Sequence, residues 1–356
     1  MKKLISILLV ALVLTGCGSK NSNTANGNNS GCNVLNVYNW GEYIGENVLA
    51  DFEDEYGVKV NYSLFDSNEA MYTKILGGAN YDVLVPSDYM IERMIEENLL
   101  QELDTSIIAN MSNLAEGTLN KPYDPQNKYS VPYFWGNVGI VYDKTVVDPN
   151  DVKSQGWNVL KNEKYAGNIY MYDSERDSFM VALKALGYSM NTDKEEEINE
   201  AYEWLIDLDE KMNPAYVTDE AIDGLIFGEK AMGVMYSGDA AYILSENEDM
   251  DFFVPNEGTN IWTDAMVIPA NANCPDLANE FIDYILSYDA SYDNSSTVGY
   301  ASSNKEVLEE MTAEGGEYEG NVAYLPRSGN DKDEVFKNNE TMRKILSELW
   351  VKVKTK

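Results

Sequence analysis

The sequence predicts an α/β protein of two lobes with a ligand cleft between them, and three observations carry that prediction. Short apolar runs alternate with amphipathic helical runs from about Val34 onward, the pattern of mostly parallel sheets flanked by helices. Some 320 residues follow that point, enough for two cores of ordinary size. No polar, glycine- or proline-rich linker divides them, so the chain is expected to cross between the lobes more than once.

Taken in order, Val34–Tyr38 reads as a strand, Glu46–Tyr56 as a helix, Val58–Ser63 as a strand and Asn68–Leu76 as a helix. Tyr81–Pro86 then reads as a buried strand and Asp88–Glu97 as a helix. A second series has strands at Asn137–Tyr142, Asn168–Met171, Ala231–Tyr236 and Asp251–Val254, with helices at Asp177–Leu186, Glu195–Lys211 and Glu220–Phe227. Ile261–Pro269 resumes an extended pattern, and Pro275–Ser287 is a helix with proline in the first turn, where its missing N–H costs nothing.

The first 16 residues form a leader: Met1-Lys2-Lys3, an apolar run from Leu4 to Leu14, then Leu14-Thr15-Gly16-Cys17. The run is too short to span a bilayer and has the charged start and small-residue end of a secretory signal. Residues 17–32 are rich in Asn, Ser, Gly and Thr and nearly without apolar side chains, so they are read as a flexible tether.

The chain has 60 acidic residues against 26 basic ones, a formal charge of −34, and loss of the leader removes two lysines more. A surface this acidic excludes nucleic acid, which needs a basic stripe, and attracts cations. Histidine is absent, which excludes the Ser-His-Asp triad and His-ligated metal sites. No phosphate loop, dinucleotide fingerprint or nucleophile elbow occurs, and neither a cofactor nor a metal is expected. Cys32 and Cys274 lie far apart without metal-ligand spacing, and the sequence leaves open whether they are bridged or free.

Aromatic residues and acids recur together at the carboxyl ends of predicted strands, where open α/β sheets bind ligands. Asn39-Trp40-Gly41-Glu42-Tyr43 is the first such segment, Pro86-Ser87-Asp88-Tyr89 follows the third strand, and Tyr236-Ser237-Gly238-Asp239 and Trp262-Thr263-Asp264 come later. Asp173-Ser174-Glu175-Arg176-Asp177 places acids between a strand and a helix, and Gly299-Tyr300 adds a phenol. An indole face attracts an ammonium and a carboxylate gives it a charge-assisted hydrogen bond, so the set suits an organic cation. Paired acids in an aromatic cleft also serve glycoside hydrolases, and the residues alone leave that alternative open.

Several strings resemble one family closely. Val37-Tyr38-Asn39-Trp40-Gly41-Glu42-Tyr43, Phe65-Asp66-Ser67-Asn68-Glu69, Tyr81-Asp82-Val83-Leu84-Val85-Pro86-Ser87, Asn120-Lys121-Pro122-Tyr123-Asp124-Pro125, Tyr133-Phe134-Trp135-Gly136 and Trp262-Thr263-Asp264 resemble the spermidine/putrescine-binding proteins of polyamine ABC importers. The likeness runs in order from about Asn33 to Trp350-Val351-Lys352-Val353-Lys354.

The resemblance implies a type II periplasmic-binding-protein-like fold, with residues 33–137 and 267–310 in one lobe and 138–266 and 311–356 in the other. It implies a polyamine site of Trp40, Glu42, Tyr43, Ser87, Tyr89, Asp177, Tyr236, Asp239, Trp262, Asp264 and Tyr300, with Asp264 and Asp177 as principal charge partners. It also implies no enzymatic activity, a monomer, and delivery of ligand to the permease and ATPase of an importer. The Leu-x-Gly-Cys ending resembles a lipobox, which implies a lipid on Cys17 and a position on the outer face of the cytoplasmic membrane. Where some relatives carry an acid this chain has Ser174, so Asp173 or Glu175 would have to substitute. Tyr236 replaces a frequent tryptophan. Asp239 resembles the putrescine-preferring branch, and Trp262 and Tyr89 the spermidine-preferring one.

Overall fold

The computed structural model describes residues 31–355. The leader, Cys17 and nearly all of the expected tether lie outside the described residues. The first strand, β1 (Val34–Trp40), is followed by α1 (Val48–Tyr56), β2 (Lys59–Phe65), α2 (Asn68–Leu76), β3 (Val83–Leu84) and α3 (Asp88–Glu96). Local chemistry sets these ends: Gly57 at φ 67° closes α1, and the Ser67 hydroxyl accepts from the Ala70 amide to open α2.

After a long loop come β4 (Ser130–Asp143), α4 (Pro149–Gln155), β5 (Ile169–Tyr172), α5 (Glu175–Leu186), α6 (Glu195–Met212), β6 (Ala215–Val217) and α7 (Glu220–Ile226). The chain continues through β7 (Met232–Tyr236), α8 (Ser237–Glu246), β8 (Met250–Phe253), β9 (Ile261–Val267), α9 (Pro275–Ile285) and α10 (Tyr288–Val298). It ends with β10 (Ala301–Ser302), α11 (Lys305–Thr312) and α12 (Glu340–Lys354).

The strands run in the order β2-β1-β3-β9-β4-β7-β5-β6, with β8 and β10 also pairing β4. Pairing is parallel at both ends, among β2, β1 and β3 and among β7, β5 and β6, and antiparallel around β4 and β9. The 14-residue β4 joins the two parts: Ser130–Asn137 pairs β9, and Val138–Asp143 pairs β7 and β8. Sequence periodicity finds only its second half, because Pro132 interrupts the signal. A register shift between Pro132 and Phe134 accommodates that proline inside the sheet.

The carboxyl ends of β1, β3, β5 and β7 and the middle of β9 converge on one region, which is what positions the site. The helices α4, α8, α10, α11 and α12 lie where the sequence pattern predicts none. For α10, rich in Ser, Asp and Asn, tertiary bonds compensate poor propensity: the Ser287 hydroxyl caps its start, and Asn294 Oδ1 accepts from the Gly45 amide at 2.7 Å. Cys32 and Cys274 form a disulfide with Cα atoms 5.9 Å apart, which settles the alternatives the sequence leaves open. Among the described residues no helix is long and apolar enough to cross a membrane.

Candidate functional site

The turn after β1 decides which way its three cation-binding candidates face. Trp40 donates from Nε1 to the Val85 carbonyl at 2.9 Å and packs on Phe65, so its ring is fixed against β3. Glu42 then adopts φ 49°, a left-handed conformation, and the reversal leaves its carboxylate exposed to solvent while turning Tyr43 inward. The Tyr43 hydroxyl donates to Asp264 Oδ2 at 2.8 Å, and its ring meets those of Tyr133, Phe134 and Tyr300 edge-on. Tyr133 and Asn39 hold the Tyr43 carbonyl, at 2.8 and 3.2 Å.

Asp264 projects from β9 opposite Ser87, with which it forms an isolated bridge. Burial pushes its carboxyl up to about 6, against the pull of the Ser87 and Tyr43 hydrogen bonds. Asn68, in the first turn of α2, donates to both Ser87 Oγ and the Tyr89 hydroxyl at 3.0 Å. Tyr89 is thereby tied to the same network, and the Arg176 guanidinium lies over its ring, 3.8 Å from the centroid.

The opposite wall comes from β5, α5, β7 and α8. Asp177 Oδ2 accepts from Ser174 at 2.6 Å and from the Tyr236 hydroxyl at 2.9 Å, and burial raises its carboxyl. Its Oδ1 is buried without a partner. Asp239 accepts from Tyr172 at 3.0 Å and Tyr300 at 2.8 Å, one phenol per oxygen, and burial pushes it up to about 6. Trp262 stands between the two walls, its ring edge-on to Tyr236 at 6.0 Å and to Tyr300 at 5.3 Å, with a buried Nε1 that has no partner. Two glycines make this closeness possible. A Cβ on Gly136 would stand 2.5 Å from the Trp262 ring, and one on Gly238 would stand 2.3 Å from the Tyr300 ring.

Asp177, Asp239 and Asp264 are thus held by hydroxyl donors, and none of them takes part in an ion pair among the described residues. Neutral donors only partly offset the desolvation of three carboxylates. The arrangement is short of positive charge and lined by aromatic faces, and that combination favours a ligand with more than one cationic centre.

Of the eleven residues singled out from the sequence, ten converge here and Glu42 stands apart in solvent. Neither acid offered as a substitute at Ser174 enters the cluster. Asp173 pairs with Lys354, and Glu175 accepts from Ser347 at 2.5 Å, so both fasten α12. Ser174 itself serves as the cap of α5 and as a donor to Asp177. Sequence reading missed Asn68, Tyr133 and Tyr172, which support the site through hydrogen bonds; Tyr133 and Asn68 lay within quoted strings, whereas only the register of β5 beside β7 reveals Tyr172. It also missed Asp88.

Residues 47–323 match the family described as bacterial extracellular solute-binding protein. The spermidine/putrescine-binding periplasmic protein of Escherichia coli is 38% identical over 278 residues, covering 76% of this chain and 78% of that protein. The putrescine/cadaverine-binding protein of Pseudomonas aeruginosa is 30% identical over 367 residues, 99% of each. Among solved structures, the spermidine/putrescine ABC transporter substrate-binding protein PotD of Streptococcus pneumoniae superposes with a TM-score of 0.79 at 37% identity, covering 90% of this chain and 98% of that one.

Proposed function

Because the chain belongs to the bacterial extracellular solute-binding protein family, we propose that it captures a polyamine, putrescine or spermidine, in its acidic aromatic cleft and delivers it to an ABC importer. The observation that carries this reading is the set of three carboxylates, Asp177 and Asp264 buried and Asp239 half-buried, supplied with hydroxyl donors but in no ion pair among the described residues. Ammonium groups at the ends of a methylene chain meet those acids, and the methylenes lie against Trp40, Tyr43, Tyr89, Tyr236, Trp262 and Tyr300. Ser87 orients Asp264, and Glu42 at the mouth draws cations from solvent.

Residues 33–137 and 267–310 form one lobe and 138–266 and 311–356 the other. The change of β4 partners after Asn137, the packing of α9 and α10 on α1, and the packing of α12 on α5 and α6 support this division, except that β9 pairs β3 and the first half of β4, which favours counting 261–266 with the first lobe. The lobes close around the ligand, and the closed form engages the permease and its ATPase. The protein acts as a monomer without enzymatic turnover, held by a lipid on Cys17 to the outer face of the cytoplasmic membrane. Titration calorimetry with putrescine, cadaverine, spermidine and spermine tests the reading, with a guanidinium and a quaternary amine as controls. Heat only with the controls, or with none, overturns it.

A further inference from the structure

Asp88 is a carboxyl of the cleft floor, 1% exposed, that the cation site described above does not use. The antiparallel pairing of β3 with β9 at Leu84 and Val267 continues through the Ala265 amide, which donates to Pro86 at 3.1 Å, and stops where the chain turns into α3. The next amide in need of an acceptor on that edge of β9 is that of Thr263. Asp88 Oδ2 accepts it at 3.2 Å, while Oδ1 accepts from the Tyr89 amide at 2.7 Å. A side chain thus extends the ladder and fixes β9 at the residue between Trp262 and Asp264.

The groups that face this carboxyl come from each neighbouring element: Asp264 and Thr263 from β9, Arg176 from α5, Lys121 and Tyr123 from the loop before β4, and Tyr89 beside it on α3. Glu92, one turn along α3, is engaged by the Asn338 amide instead. Neither Arg176 nor Lys121 is within ion-pair distance of Asp88, and Arg176 is stacked on Tyr89. The Tyr123 hydroxyl and Thr263 Oγ1 are buried without partners. Burial, and then the charge of Asp264, push the Asp88 carboxyl up to about 8, while the two amides and Arg176 pull it down.

We propose that Asp88 positions the Trp262–Asp264 strand and couples the capture of an organic dication in the cleft to the release of a proton. This rests on the polyamine reading above. Two neighbouring buried carboxyls with no ion-pair partner among the described residues hold one proton between them. When an ammonium reaches Asp264, its charge makes the second carboxylate tolerable, the Asp88 O–H bond breaks, and the proton passes to the buffer. Two positive charges enter and one leaves.

Calorimetry of the purified protein with putrescine at pH 7.5, in phosphate and in Tris, reads the proton count from the difference in buffer ionisation heat. The wild type is expected to release about half a proton or more per putrescine bound, and Asp88→Asn less than about a fifth of one. Equal counts in the two proteins overturn the coupling. Should the variant fail to fold, the wild type alone decides: its affinity must rise between pH 6.5 and 8.5 with a slope matching the calorimetric count, and a flat profile with binding intact overturns the coupling alone. Absence of any polyamine binding overturns the underlying functional reading, and a carboxyl titration of ligand-free protein by NMR then tests Asp88 by itself, an ordinary carboxylate value sinking the proposal.

Discussion

The Tyr43 hydroxyl and the Asp264 carboxylate, 221 residues apart in the chain, meet at 2.8 Å in the floor of the cleft. The bond joins the turn after the first strand to the strand that carries Trp262. It fixes one acid oxygen, and Asp264 takes part in no ion pair among the described residues.

Asp264→Asn therefore removes the charge while keeping the shape. Putrescine or spermidine affinity is expected to fall by about 2–5 kcal/mol, because a desolvated ammonium loses its partner. Calorimetry checks it, and an unchanged dissociation constant would remove Asp264 from the site.

Glu42→Gln is expected to behave differently, since its carboxylate lies in solvent on a left-handed turn. An exposed charge contributes to association rate more than to affinity. Stopped-flow binding at low and high salt should show a slower, less salt-sensitive on-rate with an affinity within about threefold of wild type. A loss of affinity as large as that of Asp264→Asn would contradict the orientation described.

Gly238→Ala introduces a Cβ 2.3 Å from the Tyr300 ring. Tyr300 must give way, its bond to Asp239 breaks, and polyamine affinity is expected to drop by about tenfold or more. Wild-type affinity together with a wild-type melting temperature would show that the ring moves without cost.

Stability of the ligand-free protein should depend on pH in the unusual direction. Burial raises Asp239 and Asp264 to about 6 and Asp88 to about 8, above the ~3.9 of an unfolded aspartate. Their stabilising contribution is full below that lower value and is lost as pH climbs through 6 and then 8. Scanning calorimetry should show the melting temperature falling from pH 5 to 8, with a shallower fall in Asp239→Asn and in saturating putrescine. A slope unaltered by the variant would refute the assignment.

The Cys32–Cys274 disulfide spans 242 residues, and a closed loop of that length contributes about 5 kcal/mol in the chain-entropy description. The double serine variant should unfold at lower denaturant concentration, and intact mass should rise by about 2 Da when the wild type is reduced. Identical mass before and after reduction would show free thiols.

Much of this architecture was legible in the sequence because it depends on local chemistry. The span Asn68–Leu76 is marked by its serine cap and by Leu76-Gly77, and periodicity marks β5, α6 and β7 to within a residue or two. The site acids sit beside aromatics in short strings, so Asp239, Trp262 and Asp264 could be named without a fold. What stayed hidden depends on partners far away in the chain. The side on which Glu42 emerges follows from one backbone angle, the first half of β4 from a bulge around Pro132, and the engagement of Asp173 and Glu175 from a helix 170 or so residues downstream. Asp88 shows in the sequence only as the acid of the Pro86-Ser87-Asp88-Tyr89 segment, and only the end of the β3–β9 ladder gives it a separate task.

The disulfide also defines a mechanical path. Tension on the chain ahead of Cys32 would pass through a covalent bond to the start of α9, a helix with six buried side chains. The β1 hydrogen bonds to β2 and β3 lie beyond that branch point, so pulling from the amino end loads the body of the fold before it shears the strand that presents Trp40 and Tyr43. A protein held by a leash at this end could be tugged without disturbing the geometry of its cleft.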